Sequence, residues 1–261
     1  MKTVKIGKHV LELFDNIEEL PITRFHKYQK CLLVDSGIGG TIGDFDKHIE
    51  KARRYLMQGN CQMAERELAN MRQNVFMVQS GMNPKHMAFA CLVNSIDGKQ
   101  CNDLSDDAIQ KVVEQLADMP NGDVNEQLDS VKKKIDAALM LYFPNAFNDG
   151  DVDIKDFFDK LRRRTLLVLQ NIVAGVPVNS EEIEKLTTAL ITYSNPQTFD
   201  GSESVEIQFD RQFENLCLIL SGQLNVNPKK YSVMEFYNAF EYLKEKAKSE
   251  AQATKTARNR K

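Results

Sequence analysis

The chain has 261 residues, 42% hydrophobic and 27% charged, with a net charge of −3. These values suit a globular protein with a substantial core, in one large domain or two small ones, and exclude default disorder and a basic nucleic-acid-binding domain. Trp is absent, and Gly and Pro number only 13 and 7, which favours long helices over a turn-rich sandwich.

The first six residues alternate polar and apolar and lack the apolar core of a secretory signal, so a cytoplasmic site of synthesis is expected. Val4, Ile6, Val10, Leu11 and Phe14 flank Gly7-Lys8 and predict a small β-hairpin. A lone hairpin is marginal in water and should pack on a helix or pair with another chain. Ile22, Phe25, Tyr28 and Leu32 mark a helical stripe that ends near Gly37. Gly37, Gly39, Gly40 and Gly43 then form a flexible connector. Asp44 is the expected N-cap of a helix with Phe45, Ile49, Ala52 and Leu56 on its apolar face. A long helix follows, with Leu68, Met71, Val75 and Val78 on one side. Asn83-Pro84 opens the next, which is expected to carry Met87, Cys91 and Val93 and to stop at Asp97-Gly98.

Ile109, Val112, Val113 and Leu116 predict a helix opened at Asp103 or Ser105, and Leu128, Val131, Ile135 and Ala138 predict another from about Asn125. The acidic stretch Asn148 to Asp153 loads charge onto the start of a helix through Phe157, Leu161 and Val168. The longest apolar run, Leu166 to Leu169 with Ile172 and Val173, is about half a membrane span and reads as a buried core helix. Asn179-Ser180-Glu181-Glu182 and Ser232-Val233-Met234-Glu235 carry capping-box patterns. Between them Val205, Phe209, Phe213, Leu216 and Leu220 recur at helical spacing. The expectation is an all-α fold, a bundle of about nine helices with a small N-terminal hairpin. Its parts would be a hairpin and lead-in (1–20), two helical subdomains (21–100 and 101–243), and a solvated or disordered basic tail (244–261). That tail holds seven basic residues against Glu245 and Glu250, a net of +5, leaving −8 for the body.

Chemistry-bearing motifs are incomplete. Gly37-Ile38-Gly39-Gly40-Thr41 lacks the Gly-Lys-Ser/Thr ending of a phosphate loop and reads as a linker between helices. Aligning Gly150 with the invariant glycine of a calcium loop puts Phe147 at the third ligand and leaves no bidentate Glu. Asp44 and His48 share a helix face and could bind a metal with outside help, although a capping Asp and a surface His explain them as well. The five cysteines, Cys31, Cys61, Cys91, Cys101 and Cys217, include no C-x-x-C and read as reduced thiols, those at mid-helix buried. Six of ten methionines fall between Met57 and Met87, as core filling or as an adaptable binding surface. Of Arg162-Arg163-Arg164, at least one guanidinium should pair with an acid. No catalytic residue, metal or cofactor is assigned.

The hairpin, Ile17-Glu18-Glu19-Leu20-Pro21, Arg24-Phe25, Leu33-Val34-Asp35-Ser36-Gly37-Ile38-Gly39, His48-Ile49, Asn83 to Ala90, Leu92 to Lys99 and Ser232 to Tyr237 form one pattern. Together these segments resemble small helical virion and assembly proteins of the crAss-like tailed bacteriophages of gut Bacteroidota. The resemblance implies a virion structural role, such as a ring or adaptor in the head–tail region, rather than an enzyme. A non-virion assembly factor or chaperone is the alternative. The expected partners are other phage structural proteins and further copies of the chain, with no membrane. Nucleic acid would bind only through the basic tail. The candidate interaction residues are Val4, Ile6 and Val10 on the hairpin and Lys255, Arg258, Arg260 and Lys261 on the tail.

Overall fold

The computed structural model describes residues 1–117, 121–144, 152–193 and 196–258. It is mainly helical, with ten α-helices among the described residues and a four-stranded antiparallel sheet of strand order β1-β2-β3-β4. The strands are β1 (Lys2–Ile6), β2 (His9–Leu13), β3 (Val93–Ile96) and β4 (Lys99–Gln100). The helices are α1 (Ile22–Gly37), α2 (Ile42–Met57), α3 (Cys61–Ser80), α4 (Pro84–Leu92), α5 (Asp106–Ala117), α6 (Asn121–Tyr142), α7 (Val152–Ala174), α8 (Ser180–Tyr193), α9 (Val205–Leu224) and α10 (Val233–Arg258).

The N-terminal hairpin forms as expected, with Gly7 at φ +58° in its turn. Its β2 edge is covered within the chain by β3, so the sheet does not need another chain on that side. β3 is a correction to the expected α4, which stops at Leu92 instead of running to Asp97. Asp97 and Gly98 both adopt positive φ, 50° and 82°, as a tight hairpin turn requires. Asp97 also receives the Val10 N–H at 2.9 Å and meets His9 Nδ1 at 2.7 Å. The turn is therefore tied to β2, and pairing with β2 outweighs helix propagation.

Arg24 of α1 fastens this junction. Its guanidinium is buried and donates to the carbonyls of Cys91 (3.2 Å), Val93 (3.0 Å) and Cys101, with its Cζ over the Phe14 ring at 5.3 Å. Among the described residues no carboxylate pairs with it. Three carbonyls from the end of α4, from β3 and from the segment after β4 replace its water shell. One core cluster runs from Ile6 and Leu11 through Phe25, Phe89 and Leu92 to Val131, Leu220 and Phe236. Segments near the two ends close on each other: Ile22 N–H donates to Tyr231 O, and Val233 N–H donates to Leu20 O, both at 2.9 Å.

The helix starts mostly follow their signals. Ser232 and Glu235 form the expected capping box. Asn83 caps α4 with Pro84 behind it. For α2 the cap is Thr41, not Asp44. Asp44 sits three residues on and returns its carboxylate to Thr41. α10 continues as helix to Arg258, so the basic tail is helical that far, and its side chains from Glu245 to Glu250 are exposed.

Candidate functional site

Two helical hairpins depart from the usual rule of apolar side inward. In α2 and α3 the buried side chains are His48, Ala52, Arg54 and Tyr55, facing Ala64, Glu67, Asn70 and Asn74. Ile49 and Leu56, expected on the core face, are exposed, as are Ile42, Met57, Leu68 and Phe76. Of the expected α2 stripe, Ile49 and Leu56 thus face solvent, Phe45 is half-buried and Ala52 is buried.

Specific pairs satisfy most of the polar interior; Arg54 Nε and Asn74 Oδ1 have no partner among the described residues. His48, 4% exposed, places Nδ1 2.7 Å from Glu67 Oε2 and Nε2 2.9 Å from the Ile38 carbonyl. A carbonyl only accepts, so Nε2 carries a hydrogen and Nδ1 faces the carboxylate. Both ring nitrogens are committed. Asn74 donates to the Ile38 and Thr41 carbonyls at 3.1 and 3.3 Å. Asn70 donates to Gln197 O at 3.0 Å. Arg54 makes a two-pronged pair with Glu184 (2.6 and 3.2 Å) and also pairs with Glu50 at 2.7 Å, which docks α8 onto α2.

The glycine segment between α1 and α2 is a packed joint rather than a flexible connector. A Cβ on Gly37 would lie 2.2 Å from the Phe199 ring, and Gly39 has φ +71°. Ile38 is buried with Val34 and Phe199 in a small second cluster. Beside this joint opens a polar cleft of about 370 Å³ lined by Asp35, Thr41, Asp44, Lys47, Lys51 and Lys85 among others. Asp44 is held by Lys47 at 2.7 Å and by Thr41. Burial keeps the Asp35 carboxyl above the usual carboxylate range. Asp44 and His48 both line this cleft, but Asp44 is engaged by Thr41 and Lys47 and both ring nitrogens of His48 are taken by Glu67 and the Ile38 carbonyl. The expected surface histidine is thus a buried cross-link. Among the described residues no group of three or more His, Cys, Asp or Glu is placed to hold a metal ion. The acidic segment 145–151 lies outside the described residues.

The second unusual hairpin is α7–α8. From Asp156 to Ile191 no described side chain is fully buried. α7 packs substantially only against α8. Polar contacts join the two: Arg164 Nε donates to Thr187 Oγ1 at 2.7 Å, and Arg163 pairs with Glu182, the acid pairing expected of the arginine run. The apolar run expected in a core is on the surface instead. Leu166, Leu169, Ile172 and Val173 follow one another at helical spacing, with Ile172 69% and Val173 89% exposed, and Val178 in the following turn is 73% exposed. Leu218 and Ile219 of α9 and Met140 to Tyr142 of α6 add further exposed apolar surface. None of the six clustered methionines is fully buried.

The candidate interaction residues separate. Ile6 is buried in the core and is unavailable to a partner; Val4 is half-buried against it. Val10 stays exposed. Lys255 and Arg258 fall on the last turns of α10, while Arg260 and Lys261 lie outside the described residues. The apolar surface of α7 escaped sequence reasoning because a helical stripe reads the same whether it faces the core or a partner. No helix among the described residues is long and apolar enough to cross a membrane. Searches against known protein families, curated proteins and solved structures found no match.

Proposed function

We propose that this chain is a virion structural protein of a tailed bacteriophage, a homo-oligomeric ring or adaptor component of the head–tail region. The observation that carries the oligomeric part is the α7–α8 hairpin, 23 and 14 residues long, with no fully buried side chain among its described residues and an apolar stripe in water. Monomeric proteins seldom expose contiguous apolar surface on this scale, and subunit interfaces are the usual reason for it. The exposed α2 side chains Ile49 and Leu56 add to the same surface class. Head-to-tail contacts between unlike faces close into rings, and several separate apolar faces on one chain suit that geometry. The phage assignment rests on the resemblance of the segments from Ile17 to Gly39, Asn83 to Lys99 and Ser232 to Tyr237.

The function proposed is non-enzymatic. What supports this is that His48, the histidine set deepest among carboxylates, has neither nitrogen free for a substrate. An assembly factor that leaves the particle is the second reading, favoured by the adaptable, half-exposed methionines. Mass spectrometry of purified particles separates the two. The chain at stoichiometric abundance supports the structural role, and its absence from particles but presence in infected cells supports the assembly factor. Absence from both overturns the phage reading.

A further inference from the structure

The tip of the α7–α8 hairpin is an uncharged knob. From Thr165 to Ser180 the chain carries no titratable side chain, and every residue from Ile172 to Val178 is exposed. The turn is held by its own bonds. Gly175, at φ +66°, donates to Ile172 O at 3.3 Å, and Val178 N–H donates to Val176 O at 2.9 Å. Asn179 N–H donates to Asn171 Oδ1 at 3.0 Å, which folds the turn back onto α7. A knob fixed in advance loses little conformational freedom on docking.

A matching hollow lies on other elements. α1, α9 and α10 enclose a groove of about 280 Å³ walled by Phe25, Phe209, Phe213, Phe236, Phe240 and Tyr237. That is about twice a cavity that accepts benzene, so it has room for two valine-sized groups. No Lys, Arg, Asp or Glu lines it. His26 stacks on Phe209 and Phe213, and burial holds it below the ordinary histidine range, so it is neutral at pH 7. By contrast, the cleft at Asp44 and the cavities at Cys31, Cys217 and Leu139 each have Lys, Asp or Glu in the wall. An aliphatic knob seated among the aromatic rings strands no charge away from water, and in any of the others it would.

We propose that the α7–α8 tip of one copy seats in the α1–α9–α10 groove of the next. This rests on the homo-oligomeric reading above and names the contact that makes it. Ile172 and Val173 supply the side chains that fill the groove, and removal of apolar surface from water on both sides drives the contact. The chain does not fill its own groove, because its tip is exposed and α7 packs substantially only against α8. Knob and groove are unlike surfaces, and each copy carries one of each. The contact therefore runs head to tail, as a ring requires.

Two variants of the full-length chain test this by complementation. Ile172→Asp with Val173→Asp spoils the knob and keeps the groove. Leu216→Glu, in the groove wall, spoils the groove and keeps the knob. In light scattering each alone should associate about 100-fold more weakly than the parent, or worse. Their equimolar mixture should form a dimer of twice 29.7 kDa, because one intact knob still meets one intact groove. If the parent self-associates and either variant does so equally well, or the mixture stays at 29.7 kDa, the proposal is overturned and the oligomeric reading stands. A parent that is monomeric at every concentration overturns both. If circular dichroism shows that Leu216→Glu does not fold, a photoreactive diazirine amino acid at position 173 of the otherwise unchanged chain decides. Irradiation should link it to peptides of α1, α9 or α10 from another copy, and links to other surfaces alone overturn the proposal.

Discussion

Replacing Glu67 by leucine should destabilise the protein, and adding His48→Leu should restore much of the loss. Leucine matches the glutamate in bulk but leaves His48 Nδ1 without its carboxylate, on a side chain only 4% exposed. It also removes the carboxylate 3.7 Å from Lys51 Nζ. Breaking a buried ion pair from one side costs about 3–5 kcal/mol when the remaining charge stays. An orphaned neutral polar group costs about 1–3 kcal/mol. His48 keeps its Nε2 contact with the Ile38 carbonyl and loses one partner, so the expected cost is about 2–3 kcal/mol. For a chain of this size that lowers Tm by about 5–10 °C. His48→Leu alone should cost a similar amount, because Glu67 is then left with Lys51 at one oxygen. In the double variant both polar groups are gone, and the Ile38 carbonyl keeps the Asn74 donor at 3.1 Å. The coupling energy should therefore be about 2–3 kcal/mol. Urea unfolding followed by circular dichroism, at one protein concentration, measures all four members of the cycle. Single-variant losses that simply add, or a Glu67→Leu within about 0.5 kcal/mol of the parent, would refute the cross-link.

Tyr28 is fully buried, and its hydroxyl finds no partner among the described residues. Tyr28→Phe should raise stability by up to about 1 kcal/mol; a clear drop in Tm would show that the hydroxyl is bonded. Burial between Phe209 and Phe213, with ring centroids 4.6 and 4.1 Å away, holds His26 below the ordinary histidine range although Asp210 pulls it upward. His86 is lowered too, by burial and by Lys85. A histidine lowered in the fold takes its proton more readily when unfolded, so its contribution is full above the ordinary value and is lost as pH falls through the folded one. Tm should fall from neutral pH toward mildly acid pH, and His26→Phe should flatten that slope; an unchanged slope would contradict the burial argument.

Helix starts were the most legible feature, because caps are local. Ser232 with Glu235 and Asn83 with Pro84 each needed only a few neighbouring residues to be read. β3 was hidden because Val93 to Ile96 is short and continues an apolar helix. The turn chemistry of Asp97-Gly98 was the signal for it, and it was assigned to helix termination instead. The inward face of α2 could not be read from its period. Which side is inside depends on Glu67, the Ile38 carbonyl and Glu184, partners from other elements. Of the three hairpin candidates, Ile6 is taken up by the core, and the outer edge of β2 is taken by β3.

Self-association through the exposed faces is the claim on which the functional reading turns. Light scattering coupled to size exclusion, over a wide concentration range, measures it directly. The chain weighs 29.7 kDa, and the expected mass is a multiple of that. Ile172→Asp with Val173→Asp should return the protein to monomer with its circular dichroism unchanged, because both residues are exposed in the single chain. Each aliphatic side chain lost from a fully buried contact removes about 1.5–3 kcal/mol, so the pair should weaken an interface on the order of 100-fold or more. A parent protein that stays at 29.7 kDa at every concentration would contradict the account.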